Sequence, residues 1–151
     1  MKQFILIVIA SFISVAAFSQ TNNPKYDKVV ADSLGGDNYG MKLYVLVILK
    51  PGTKIFEKKI GDSLFMGHIN NIIRLASEKK LVLAGPLKKN EKSYDGIFIL
   101  NVKTFEDATA LLATDPAVHE GMLAVELYQW YGSAALPEYL KIHDKIQKKS
   151  L

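Results

Sequence analysis

Two kinds of hydrophobic periodicity alternate along the chain after residue 40. Runs that are apolar at nearly every position and bounded by Gly, Pro or polar turns are typical of strands. Segments with apolar residues every three or four positions are typical of amphipathic helices. The pattern predicts four strands, over residues 41–49, 81–84, 97–102 and 122–131. It predicts two helices between them, over residues 64–79 and from Thr104 to the break at Asp115-Pro116.

Capping residues and apolar stripes refine these two helices. Asp62 or Ser63 is expected to cap the first helix, and Thr104 the second, with Asp107 at the capping-box position. The apolar stripe of the first helix is expected to consist of Phe65, Ile69, Ile72, Ile73 and Ala76.

Two further helices are predicted on either side of the domain formed by residues 41–131. The polar segment 20–40 holds apolar residues at helical spacing before Gly35-Gly36, which predicts a short helix ended by glycine. The C-terminal extension 132–151 contains Leu136-Pro137, a typical opening for a last helix.

The resulting order, β-α-β-β-α-β, is that of a ferredoxin-like α+β fold with added terminal helices. Its strands are apolar on both alternating faces: Val45 and Val47 point one way, and Tyr44 and Leu46 point the other. Two helices cover only one face of such a sheet, and a face in water should be polar. A second copy is the simplest cover, which predicts a homodimer of the α/β-barrel type through the sheet faces. Partial cover by the C-terminal helix is the competing account.

Residues 1–19 have the three parts of a secretory signal peptide. Lys2 precedes an apolar run, and Ala17-Phe18-Ser19 supplies a small-x-small site, so cleavage is expected before Gln20. A membrane anchor is the alternative, although the run is near the lower limit for spanning a bilayer. Cleavage predicts an exported protein, periplasmic or secreted, that makes no membrane contact afterwards.

Composition narrows the kinds of site that this chain can build. It has no cysteine, which excludes disulfides, thiolate catalysis, and zinc or iron–sulfur sites held by Cys. The net charge of +4 comes largely from lysine pairs at predicted element ends, and Arg74 is the sole arginine. We interpret the lysines as solvated surface and expect no nucleic-acid partner. Glycine-rich phosphate loops and metal-spaced histidines are absent from the sequence, so no cofactor and no metal are predicted.

Several short motifs resemble those of the YCII-related (YciI-like) family, and their order and spacing are more specific than any one of them. They are Gly67-His68, the runs 81–86 and 96–100, Glu106-Asp107-Ala108, and the runs 115–118 and 126–130. The match covers residues 41–131, and the flanking segments resemble a secreted subgroup of the family. The resemblance implies a ferredoxin-like fold that dimerises through its sheets. Characterised relatives of that family include a dehydrochlorinase acting on a chlorinated hydroxyquinone.

The resemblance also implies a site built on a histidine and an aspartate, here His68 and Asp115. From the residues alone, His68 fits a boundary histidine with its ring half in water as well as a proton-transfer group. Asp115 fits an N-cap followed by Pro116 at the first helical position. The roles are compatible, because one carboxylate oxygen can cap a helix while the other faces the imidazole.

Three further residues are candidates for lining a pocket, namely Glu126, Tyr44 and Asn71. Glu126 equally fits an edge or dimer-rim charge, and Tyr44 equally fits the core.

Two functional hypotheses follow from these candidates. The first is a cofactor-independent acid–base enzyme of lyase or isomerase type, acting on a small cyclic or aromatic molecule. In it His68 shuttles the proton and Asp115 orients the imidazole. The second is a non-catalytic dimeric domain that binds a small ligand or is structural. A haem-binding barrel is disfavoured, because the sequence lacks a second histidine at ligand spacing.

Overall fold

The computed structural model describes residues 23–149, which form one four-stranded antiparallel sheet with flanking helices. The strands are β1 (Met41–Pro51), β2 (Leu81–Pro86), β3 (Gly96–Leu100) and β4 (Leu123–Ser133). They lie in the order β2-β3-β1-β4. The helices are α1 (Lys28–Leu34), α2 (Lys58–Ser77), α3 (Phe105–Leu112), α4 (Pro116–His119) and α5 (Leu140–Ile146). The predicted β-α-β-β-α-β order is present, and β2 and β3 form an antiparallel hairpin.

The main core lies between the sheet and helices α2 and α3. It is made of nine buried residues, namely Val45, Val47, Leu49, Leu75, Leu81, Phe98, Leu100, Ala108 and Leu112. The strand residues in this set alternate with residues of the opposite face, as the pleat requires. We call this the helix face of the sheet.

The opposite face carries a second, smaller core. Tyr44, Val82 and Ile99 are buried there, with Trp130 and Leu136 packed against them. The C-terminal segment covers this end of the face: the hydroxyl of Tyr139, in the 3₁₀ turn before α5, donates to the carbonyl of Val82 at 2.7 Å. Sequence reasoning correctly identified two apolar faces, and the tail covers part of the second face, as the competing account expected.

The far end of the opposite face has no such cover among residues 23–149. Ile48 and Ile97 are only half-buried, and Tyr128 is 49% exposed. These residues leave an apolar area next to the covered end.

Helix α2 differs from its prediction in the residue at which it begins and in the side that it turns toward the core. It begins at Lys58, without a side-chain cap, and the expected caps Asp62 and Ser63 lie inside it. Lys58 pairs with Asp62 at 2.6 Å across one turn, which favours helix in this charged segment.

The inner face of α2 is also rotated from the predicted stripe. Its buried residues are His68, Asn71 and Leu75, whereas Phe65 and Ile73 are 53% and 44% exposed. The pattern rule places polar residues outward, and it fails here because both polar residues have hydrogen-bond partners within the protein.

Local signals placed the ends of α1 and α3 well, whereas the last helix begins at Leu140 and a 3₁₀ turn occupies the expected opening at Leu136–Tyr139. Asp27 caps α1, which ends at Gly35 in the left-handed conformation (φ 70°) that favours glycine. Thr104 caps α3 by accepting from the Asp107 backbone at 3.1 Å. The predicted signal peptide lies outside the described residues. No helix within residues 23–149 is long and apolar enough to cross a membrane.

Candidate active site

Asp115 lies in the short junction between the end of α3 and the start of α4. Its Oδ1 accepts a hydrogen bond from the Ala117 backbone at 3.0 Å, and Pro116 follows it at the first helical position. The predicted capping role is therefore confirmed. The carboxylate is completely buried, so its second oxygen needs a partner in the protein interior.

That partner is His68, on the inner face of α2. His68 Nδ1 and Asp115 Oδ2 are 2.6 Å apart, and the histidine is only 6% exposed. The expectation of a ring half in water is wrong, because the aspartate draws the imidazole inward. Gly67 permits this approach: a Cβ there would lie 2.9 Å from Pro116 Cγ, so any side chain would push α2 away from the junction.

Aromatic rings fix the plane of the imidazole. Phe98 of β3 stacks on it with a 16° interplanar angle and 5.7 Å between centroids. Phe65, half exposed, lies 6.2 Å away at a 33° tilt. Ala84 pairs with Phe98 across the hairpin, so its methyl group lies on the same face, and it is exposed. Phe65 and Ala84 are therefore accessible to solvent on the helix face of the sheet.

The bond to Asp115 leaves one nitrogen of the imidazole available. A carboxylate only accepts hydrogen bonds, so this geometry assigns a proton to Nδ1, and in the neutral imidazole the lone pair is then on Nε2. Among the described residues, Nε2 has no hydrogen-bond partner. An imidazole held in this tautomer by a carboxylate can take a proton at Nε2 and return it.

A polar bridge fastens α2 to the residue before Asp115. Arg74 Nη2 donates to Asn71 Oδ1 and to Thr114 Oγ1, each at 2.7 Å, and its Nη1 donates to Glu78 at 2.9 Å. Sequence reasoning missed Arg74 and Thr114. The signal for Arg74 was its being the sole arginine on a lysine-rich chain, since only a guanidinium bridges several acceptors in one plane.

The other two candidate residues do not join this site. Tyr44 pairs with Trp130, and Glu126 with Ile48, on the opposite face of the sheet. Tyr44 is core: its hydroxyl donates to the Ser133 carbonyl at 2.8 Å, and burial raises its pKa. The structure brings together His68, Asp115 and Asn71 of the five predicted site residues.

Glu126 forms a separate polar cluster with Lys50, Tyr94 and Tyr128. Lys50 lies 2.6 Å from Oε1, while the two tyrosine hydroxyls donate to Oε2 at 3.3 and 3.0 Å. The Lys50 hydrogen bond, followed by that of Tyr128, lowers the pKa of Glu126. The cluster is complete in itself and lies at the uncovered end of the opposite face.

The structure also forms a shallow pocket of about 220 Å³ behind α4, lined by Thr109, Leu112, Ala113, Val118, His119 and Val125. It is apolar apart from its rim and does not include the His68–Asp115 pair. Within residues 23–149, no group of three metal-ligating side chains is close enough to hold an ion.

Comparison with known proteins leaves the family open. No family model matches the chain, and no curated protein matches it significantly. Solved structures that resemble it include 5-chloro-2-hydroxyhydroquinone dehydrochlorinase from Burkholderia phenoliruptrix, in complex with 2,5-dihydroxybenzoquinone. That likeness has a TM-score of 0.42 and 15% identity, over 57% of this chain and 92% of the other. At this level the likeness defines neither family nor function.

Proposed function

We propose that this protein is a small-molecule enzyme that transfers protons without a cofactor, with His68 as the proton shuttle and Asp115 as its orienting partner. The observation that carries the proposal is the buried 2.6 Å bond between His68 Nδ1 and Asp115 Oδ2, which leaves Nε2 without a protein partner. A positioned histidine of this kind is the commonest general acid–base group in enzymes.

The rings around His68 support a planar ligand. The half-exposed Phe65 offers aromatic surface 6.2 Å from the imidazole, and the other side chain stacked near it, Phe98, is buried. We expect a flat ring to pack on Phe65 beside the imidazole, with aromatic packing as the source of affinity. The proposed substrate is accordingly a small cyclic or aromatic molecule. The lyase or isomerase chemistry expected from the YciI-like resemblance remains part of this proposal.

Proton exchange tests the proposal before the natural substrate is known. In D₂O, the protein should speed deuterium incorporation into the ring C–H of 2,5-dihydroxybenzoquinone or into the α-carbon of γ-butyrolactone, followed by proton NMR. His68→Ala should lower that rate by about 10²–10⁴-fold, the usual contribution of general acid–base catalysis. His143→Ala, which removes an exposed histidine of α5, should leave it unchanged. Equal rates in wild type and His68→Ala, or no exchange in wild type, would refute the proposal.

A second candidate function is a non-catalytic domain in which the same pair is structural. It is favoured by the complete burial of Asp115 and by its second bond, which caps α4. In that case His68→Ala changes stability and no ligand property.

We also propose the ferredoxin-like homodimer, with a second copy packed on the uncovered end of the opposite face. The half-buried Ile48 and Ile97 and the exposed Tyr128 support this arrangement. Light scattering should report twice the chain mass at micromolar concentration, and a monomer there would rule out the dimer.

Export after cleavage before Gln20 is likewise a proposal. Intact-mass measurement of the protein recovered from its native host should give the mass of a chain beginning at Gln20. A full-length mass would be the contrary result.

A further inference from the structure

Asn71 leaves a polar atom unpaired in the protein interior. The residue is 6% exposed, and its Nδ2 is the one buried side-chain nitrogen or oxygen in residues 23–149 without a hydrogen-bond partner. Such groups are rare, because an unmade hydrogen bond in the interior costs free energy. The oxygen and nitrogen of the Asn71 amide are not interchanged, because Arg74 Nη2, which can only donate, lies 2.7 Å from the atom assigned as Oδ1. The free atom is therefore an N–H donor.

Asn71 and His68 are neighbours on α2, and each side chain contacts a residue of the α3–α4 junction. They lie three residues apart on the buried side of α2, so their side chains are neighbours. Asp115 engages His68 through Nδ1, and the preceding residue, Thr114, approaches Asn71 Oδ1 at 3.1 Å. Each side chain thus has one polar atom anchored by the α3–α4 junction and one nitrogen left over.

We propose that Asn71 is a ligand-binding residue of this site, with Nδ2 donating to an oxygen of the molecule whose proton His68 transfers. This inference rests on the proposed function. When Nε2 takes a proton from an O–H of the ligand, the electron pair stays on that oxygen; when it takes a proton from a C–H, the pair moves onto a conjugated carbonyl oxygen. A fixed N–H donor stabilises that developing negative charge.

The pairing of a base with a neutral donor selects the substrate class. It fits a ring that loses its proton from an enol or phenol O–H, or from a carbon conjugated to a carbonyl. Hydrocarbon rings and amines lack the acceptor and do not fit. Phe65, 53% exposed and 6.2 Å from the His68 ring, marks the side from which we expect such a ring to approach the inner face of α2.

A pair of asparagine variants separates the donor from the charge change. Asn71→Asp has nearly the same shape and retains an oxygen for Arg74, but it removes the donor. Asn70→Asp makes the same change on the exposed side of α2. The probe is 4-nitrocatechol, followed by its absorbance. Asn71→Asp should weaken binding at least about tenfold, as expected for a hydrogen bond to a charged oxygen. Asn70→Asp should bind within about twofold of wild type, as surface changes usually do.

NMR of the wild-type protein gives the decisive readout even if Asn71→Asp folds poorly. Addition of 4-nitrocatechol should shift both the Asn71 side-chain amide signals and the His68 ring signals. Shifts at His68 without shifts at Asn71, or unweakened binding by Asn71→Asp, would overturn this inference and leave the proposed function standing. No shift at either residue at saturating probe would overturn both. Toluene, which has no oxygen atom, should not shift the Asn71 signals. A shift there would show that the response of Asn71 does not depend on a hydrogen bond to a ligand oxygen.

Discussion

Replacing Asp115 tests whether the buried pair stabilises the fold that presents it. Asp115 makes two hydrogen bonds: Oδ1 caps α4 through the Ala117 backbone at 3.0 Å, and Oδ2 meets His68 at 2.6 Å. Asp115→Ala removes both and leaves the imidazole N–H and the helix N–H without partners. Asp115→Asn removes the charge while keeping a capping oxygen, since Asn caps about as well as Asp.

The magnitude follows from these two bonds. Loss of an N-cap costs about 1 kcal/mol. Loss of a hydrogen bond to a charged group costs about 1.5–3 kcal/mol. Asp115→Ala should therefore lower the free energy of unfolding by about 3 kcal/mol, a large part of the roughly 5–15 kcal/mol typical of a domain. Asp115→Asn should cost about 1–2 kcal/mol, because only the charged bond is weakened.

Equilibrium urea unfolding measures these differences, and an exposed cap supplies the control. Asp27 Oδ1 accepts from the backbones of Val29 and Val30 at 2.9 and 3.1 Å, with no buried partner. Asp27→Ala should cost at most about 1 kcal/mol. If Asp115→Ala costs no more than Asp27→Ala at an unchanged m-value, the His68 bond contributes nothing and the reasoning is wrong.

Three further predictions concern the surroundings of the pair and the second polar cluster. Arg74→Lys should speed amide hydrogen exchange in α4, because lysine cannot bridge Asn71 and the junction at once; unchanged exchange would argue against a positioning role. Ala84→Phe should abolish binding of 4-nitrocatechol while leaving the thermal midpoint nearly unchanged, because the added ring occupies an exposed position across from Phe98; retained binding would place the ligand elsewhere. The Lys50 hydrogen bond lowers the pKa of Glu126. The stabilisation of the fold by the ionised Glu126 is therefore present above the ordinary glutamate pKa and is lost as pH falls through the lowered value. Thermal unfolding should therefore show wild type losing its advantage over Glu126→Gln below about pH 4, and parallel curves would contradict this.

The sequence predicted what depends on neighbours along the chain. The order of strands and helices along the chain, the Thr104 cap and the Asp115-Pro116 turn each follow from short stretches of sequence, and each appears as predicted. The facing of α2 depends on partners far along the chain. A periodicity argument places His68 and Asn71 at the surface, because both are polar. Polarity alone does not reveal that His68 has a buried partner 47 residues away. Leu75, at the same helical spacing, was the available signal for the true inner face.

The division of candidate site residues between two faces has a similar cause. Strand periodicity shows that Tyr44 and Glu126 alternate with their neighbours, but the β1–β4 register decides which face they share. That register places both on the face opposite α2. One site cannot contain all five predicted residues, because they lie on opposite faces of the same sheet.

The two polar clusters can then be compared by what they leave unsatisfied. Around Glu126, both carboxylate oxygens have donors, and the cluster needs nothing further to explain its presence. Around the His68–Asp115 pair, Asn71 Nδ2 is buried without a hydrogen-bond partner, and His68 Nε2 has no partner among the described residues. Folding alone gives no reason to retain the cost of the unpaired Asn71 Nδ2, since an apolar side chain of the same volume would remove it. Unmet donors and acceptors are accounted for when a ligand supplies the missing partners, and so the helix face, not the Glu126 cluster, is where a substrate is expected to bind.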